Sequence, residues 1–150
     1  KQSVLFVCLG NICRSPMAHV IAEQFAQTRG REMTVRSAST MGLKDVPAEK
    51  NAVAVMREVG LDLSNHRSQP LTDDLIDWAE YVLVMEYAHA KHIRTNHPQV
   101  EEKLMLLGPL GATHEISDPI GGWKYKFRGS RDVIQRCVEG FIDRLPVERR

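Results

Sequence analysis

Apolar and polar positions along this chain follow two alternating periods. Val4-Leu5-Phe6-Val7 is an unbroken apolar run, the pattern of a parallel strand covered on both faces. Met33 to Ala38, Tyr81 to Met85 and Leu104 to Leu107 read as three further strands. Between them the spacing changes to that of helices. Ser15-Pro16 predicts a helix start, with serine as the N-cap and proline at the first helical position. Met17, Ile21 and Phe25 then form one stripe, Ala18, Ala22 and Ala26 lie beside it, and Gly30 is placed to end the helix. Pro47 opens a second helix with Ala52, Val53, Met56 and Val59 on its apolar face, and Gly60 stops it. Thr72-Asp73-Asp74 caps a short helix through Trp78, and another runs from Glu86 to Asn96 with Pro98 as its limit. Gly108 to Gly129 is rich in glycine and proline and reads as a long loop, a kind of segment that usually carries function or is disordered. The last helix presents Val133, Ile134, Cys137, Val138, Phe141, Ile142 and Leu145 on one face.

This order predicts an α/β fold, a single-domain three-layer sandwich. Its four-stranded parallel sheet, in the order 2-1-3-4, has helices on both faces. Ligands bind such sheets beyond the carboxyl ends of the strands, where the strand order reverses. Cys8 stands at the carboxyl end of the first strand.

Composition narrows the classes. The 150 residues suit one domain with one core, and 43% hydrophobic with 26% charged residues is ordinary for a soluble globular protein. A formal charge of +1 provides no basic field for nucleic acid or a membrane surface. No apolar run approaches the roughly 20 residues of a membrane span, and the amino terminus lacks the order of a signal peptide. Three cysteines do not make a disulfide framework, so a reducing cytoplasm is the expected location.

The chemistry concentrates in Cys8-Leu9-Gly10-Asn11-Ile12-Cys13-Arg14-Ser15. Gly10 and Asn11 accept a left-handed backbone most readily, and a loop of mixed handedness turns successive N–H groups toward one centre. The following helix adds the positive end of its dipole, and Arg14 can place two donors on one oxyanion. Such a cradle suits a dianion the size of phosphate. The same field favours the thiolate form of Cys8, to which Ser15 could donate a hydrogen bond. A thiolate at the floor of a phosphate cradle is placed for in-line attack on phosphorus. Two other readings stay open at this point: a buried core cysteine at a strand end, and half of a zinc site formed with Cys13, for which the sequence offers no second cysteine pair. The long loop supplies Asp118, whose carboxyl is stiffened by Pro119 and could serve as a general acid, although Asp-Pro is also a common turn.

VCLGNICRSPMA, residues 7 to 18, resembles the amino-terminal motif of the low-molecular-weight protein tyrosine phosphatases. The likeness continues through Ser37-Ala38, His66-Arg67 and Asp118-Pro119. It implies Cys8 as nucleophile, Arg14 as the holder of the phosphoryl oxygens, and Asp118 as acid and then base. Ser15 would stabilise the departing thiolate, while Asn11 would keep the strained loop in shape with support from Ser37 and His66. No cofactor or metal is expected, because Arg14, the N–H groups and the dipole supply the charge stabilisation.

Leu9 and Ile12 are expected at the pocket entrance. Family members commonly carry an aromatic after Asp-Pro; this chain has Ile120, so Trp123, Tyr125 or Phe127 is the candidate to complete the substrate wall. Asp118-Pro119-Ile120-Gly121-Gly122 with Pro70 to Leu75 looks like the protein-arginine phosphatase branch. That branch carries threonine where this chain has Ile12, which favours a flat ring. Phosphotyrosine on a protein is therefore the expected substrate, a bacterial tyrosine kinase among the candidates, and phosphoarginine is the alternative. An arsenate reductase would need two further cysteines to relay a disulfide, and Cys137 is placed on a core face. A binding module without catalysis would lack Cys8 or Asp118. Cys13 reads either as loop packing or, by the resemblance, as the redox partner of Cys8. His89 and His92 read as a solvated helix face rather than metal ligands. A monomer is expected.

Overall fold

β1 (Gln2–Cys8) is the central strand because it is apolar toward both faces. Val4, Phe6 and Cys8 enter one hydrophobic cluster and Leu5 and Val7 the other. The computed structural model describes residues 2–147, and all the predicted elements fall within them. β2 (Met33–Ser39) pairs in parallel on one side of β1, β3 (Tyr81–Val84) on the other, and β4 (Leu104–Leu106) beyond β3. The strand order is therefore 2-1-3-4, as the sequence predicts.

α1 (Arg14–Thr28), α2 (Lys50–Arg57) and α5 (Lys124–Arg144) contribute to the cluster that takes Val4 and Phe6. α3 (Asp73–Trp78) and α4 (Tyr87–Asn96) cover the opposite face. The chain leaves β1, returns in β2 on one side, and crosses to β3 on the other. The loop after β1 thus lies at the point where the order reverses.

Several boundaries differ from those predicted. α1 starts at Arg14 with Cys13 as its N-cap, and Ser15 is not the cap because its hydroxyl is engaged elsewhere. Gly30 does end α1: at φ +66° it closes a Schellman turn, with Arg31 N–H donating to the Ala26 carbonyl and Gly30 N–H to that of Gln27. α2 begins at Lys50 rather than Pro47, which instead bridges Arg67, and its buried side includes Val55 while Val59 is exposed. The long loop is shorter than expected. A 3₁₀ turn occupies Gly108–Gly111, and α5 begins at Lys124, so Gly129 is a helical residue. Exposed Lys124, Tyr125, Lys126 and Arg128 hide that first turn from a periodicity reading. Arg128 and Arg131 both bind Glu58 and fix the turn to the end of α2, the Arg128 bond foremost in holding the Glu58 carboxyl down at about 2.

α5 passes so close to the 3₁₀ turn that glycine is required. A Cβ on Gly140 would lie 2.0 Å from the Leu110 carbonyl oxygen, a backbone atom with little room to move. Gly140→Ala is expected to destabilise the fold by about 1–3 kcal/mol through overpacking. Urea unfolding measures this, and an unchanged midpoint would contradict the close approach.

Candidate active site

The loop from Cys8 to Ser15 closes around sulfur. Cys8 Sγ accepts from the Asn11 N–H at 3.3 Å and the Ser15 N–H at 3.4 Å, and lies 3.0 Å from Ser15 Oγ. The direction of that last contact follows from its neighbour. Asn11 Nδ2 can only donate, and it does so to Ser15 Oγ at 2.7 Å, so the serine hydrogen is free to point at sulfur. Three donors converge on one atom, the arrangement that stabilises a thiolate.

Within this loop Asn11 takes the left-handed backbone, at φ 56°, and Gly10 does not. Asn11 is fully buried and held from three sides. Its Oδ1 accepts from the Gln69 N–H at 3.1 Å, its Nδ2 binds Ser15, and its carbonyl meets His66 Nε2 at 2.7 Å. A carbonyl only accepts, so His66 carries its hydrogen on Nε2. The support for the loop partly differs from that expected. Ser37 Oγ pairs with His19 Nδ1 at 3.2 Å, and its carbonyl accepts from the Gln69 side chain. It therefore reaches Asn11 only through Gln69. Ser39, paired with Cys8 across the parallel register, binds the Leu9 carbonyl directly at 2.7 Å.

Arg14 is 1% exposed, yet it lies among polar partners. Its Nη1 donates to Glu86 Oε2 at 2.5 Å and to the Ile116 carbonyl at 2.7 Å, while Nη2 lies 3.5 Å from Asp118 Oδ2. Asp118 thus arrives from a distant part of the chain on a segment tied down at three points. Ile116 N–H donates to the Met85 carbonyl, Ile116 O accepts from Arg14, and Glu115 Oε2 takes the Tyr87 N–H at the start of α4. Asp118 Oδ1 accepts from the Ile120 N–H across Pro119, which leaves Oδ2 toward Arg14. Glu86, Gln69 and Ser39 were missed in the sequence. For Ser39 and Glu86 the only signal was position, each ending or following a strand that the predicted order places beside β1, whereas Gln69 lies in the connection between α2 and α3.

The residues expected at the substrate wall differ in exposure. Leu9 is 46% and Ile120 50% exposed, Ile12 is half-buried, and Trp123 is 78% exposed at the start of α5. Tyr125 is exposed, whereas Phe127 is buried in the core and cannot line a pocket mouth. Cys137 is buried, as predicted. His89 departs from its expected solvated face: it is buried against Glu86, while His92 is exposed. Helix α4 turns His89 inward with Ala90 and Ile93. Among the described residues no group of three or more His, Cys, Asp or Glu could hold a metal ion, and no helix is long and apolar enough to cross a membrane.

Burial holds both His66 and His89 below the ordinary imidazole range. Each binds a proton more readily in the unfolded chain. The stability they contribute is complete above their unfolded value, about 6.5, and is lost as pH falls through the lowered one. The thermal midpoint is expected to fall on acidification below about pH 6.5. His66→Gln, which keeps a neutral donor for Asn11, should flatten that slope; an unaltered slope would contradict it.

Comparison with known proteins gives a consistent picture. The model of the family described as low molecular weight phosphotyrosine protein phosphatase matches residues 3–150. The chain is 35% identical over 144 residues to a probable low molecular weight protein-tyrosine-phosphatase EpsP of Ralstonia nicotianae, covering 96% of each. It is 34% identical to a protein-arginine-phosphatase of Geobacillus stearothermophilus, covering 97% of each. Its fold matches Vibrio vulnificus Wzb in complex with benzylphosphonate at a TM-score of 0.90 and 30% identity, over 96% of this chain and 99% of that one. The chain belongs to the low-molecular-weight phosphotyrosine protein phosphatase family, a family of hydrolases.

Proposed function

We propose that this protein hydrolyses phosphotyrosine on protein substrates in two steps through a phosphocysteine at Cys8. In the first step the sulfur attacks phosphorus, the P–O bond to the phenol breaks, and Asp118 gives its proton to the departing oxygen. In the second step Asp118 takes a proton from water, the water oxygen bonds to phosphorus, and the S–P bond breaks. Arg14 and the loop N–H groups hold the three remaining phosphoryl oxygens throughout. Ser15 receives the departing thiolate through its hydroxyl. No cofactor takes part. The observation that carries the reading is the convergence of three donors on Cys8 Sγ beside an arginine whose Nη2 faces Asp118.

Leu9, Ile12, Ile120 and Trp123 form the apolar side of the pocket in this reading. Ile12 is packed near Gly10, with Leu43 on the same side, and a branched apolar group there suits a flat ring better than a guanidinium. Phosphoarginine remains the second reading, because relatives of both kinds align along the chain. The deciding experiment compares kcat/KM for a phosphotyrosine peptide and for the matching phosphoarginine peptide. A clear preference for phosphotyrosine is expected, and the reverse preference would refute the assignment.

Cys13 completes the reading as the redox partner of Cys8. Burial, reinforced by Asp118 and Cys8, pushes its thiol well above the usual range. The protein acts as a cytoplasmic monomer on a phosphorylated partner, a tyrosine kinase being one candidate.

A further inference from the structure

His89 is buried where a leucine would pack without polar cost. It lies three residues after Glu86 in the first turn of α4 and is 5% exposed. Its Nδ1 has no partner, and among the described residues no other buried side-chain nitrogen or oxygen lacks one. The other ring nitrogen accounts for the choice of residue. Nε2 lies 3.5 Å from Glu86 Oε2, the same oxygen that accepts from Arg14 Nη1. Glu86 caps α4 with its backbone alone; Glu115 satisfies the Tyr87 N–H instead, so the Glu86 carboxylate is left for Arg14 and His89.

We propose that His89 is a positioning residue that acts through Glu86 to fix the Arg14 guanidinium in its phosphate-binding orientation. The proposal rests on the reading of Arg14 as the phosphate holder. The guanidinium has five donors in one plane. Glu86 and the Ile116 carbonyl occupy Nη1, which leaves the Nε and Nη2 edge for an oxyanion, and Nη2 is the atom nearest Asp118. A carboxylate held at one oxygen by a single donor can still swing. A ring nitrogen 3.5 Å from that oxygen, an electrostatic contact looser than a hydrogen bond, on a ring anchored in a helix narrows that motion, and with it the tilt of the guanidinium plane. Arg14 from α1, Glu86 at the start of α4, and Glu115 and Asp118 from the acid segment all face the ring. A neutral ring with its hydrogen on Nε2 supports Glu86 without competing with Arg14 for it.

A double-mutant cycle tests the proposal, with kcat and the inhibition constant of inorganic phosphate as readouts on an aryl phosphate substrate. His89→Leu and Glu86→Ala are each expected to lower kcat and weaken phosphate inhibition by about tenfold. The double variant should resemble Glu86→Ala alone, because the two residues act along one path. His89→Gln, which restores a neutral donor, should recover activity to within about twofold. Unchanged kinetics in His89→Leu, single effects that multiply in the double variant, or a folded His89→Gln without recovery would each overturn the proposal. Thermal melts accompany every variant, and His89→Met replaces the leucine variant in the cycle should that one not fold. Arg14→Lys separates the two levels. Intact phosphate inhibition in that variant would refute the role of Arg14 and the role of His89 with it. A sensitive Arg14 beside an indifferent His89 would refute the second alone.

Discussion

Cys8→Ser is expected to abolish turnover of an aryl phosphate while inorganic phosphate or vanadate still binds. The donors that would hold the anion belong to the loop backbone, Ser15 and Arg14, and none of them is removed by exchanging sulfur for oxygen. The attacking atom is removed. A serine hydroxyl has no general base among its contacts here, since Ser15 donates toward it and the two N–H groups can only donate. The loss should exceed about 10⁴-fold, the range seen when a nucleophile acting as part of a unit is deleted. Steady-state kinetics with competitive phosphate inhibition measures both halves of the expectation. Full activity in this variant would end the covalent scheme.

Asp118→Asn is expected to slow substrates according to their leaving groups. A poor leaving group departs only with a proton, and asparagine cannot supply one in the same way. For such substrates the rate should fall by about 10²–10⁴-fold, the usual contribution of a positioned general acid. A good leaving group needs little help, so its loss in the first step should be much smaller. The same substitution exchanges the carboxylate beside Arg14 Nη2 for a neutral amide, which should leave phosphate binding intact or improved. Measuring kcat/KM for a series of aryl phosphates of rising phenol pKa tests this. Equal losses across the series would contradict an acid role.

The parts of this structure legible in sequence were those written locally. β1 announced itself as an apolar run, Gly30 marked the end of α1, and the cysteine, arginine and serine of the loop stood at a spacing that makes an anion cradle. The parallel sheet with helices on both faces followed from the alternation of elements. What stayed hidden depends on contacts between distant segments. Ser39 reaches the loop because it pairs in register with Cys8, whereas Ser37, two residues earlier on the strand, turns to His19. Gln69 holds Asn11 through a backbone N–H, a donor every residue but proline has, so its side-chain identity carried no signal. Glu86 read as the ordinary start of a helix, and only the fold brings it against Arg14. His89 was misassigned because a charged and polar helix hides which face is covered when the covering group is another loop. The first turn of α5 was missed for the same reason: its exposed lysines and tyrosine obscure the apolar period, and Phe127 is its only buried residue before Ile134.

The central claim concerns a single bond, that between the sulfur of Cys8 and phosphorus. Rapid acid quenching of turnover with a radiolabelled aryl phosphate, followed by peptide mapping, observes that bond directly. The account predicts label on the peptide containing Cys8, formed and lost at rates competent for turnover and absent in Cys8→Ser. Label on another residue, or steady turnover with no labelled enzyme under conditions where release of the first product outpaces hydrolysis, would contradict it.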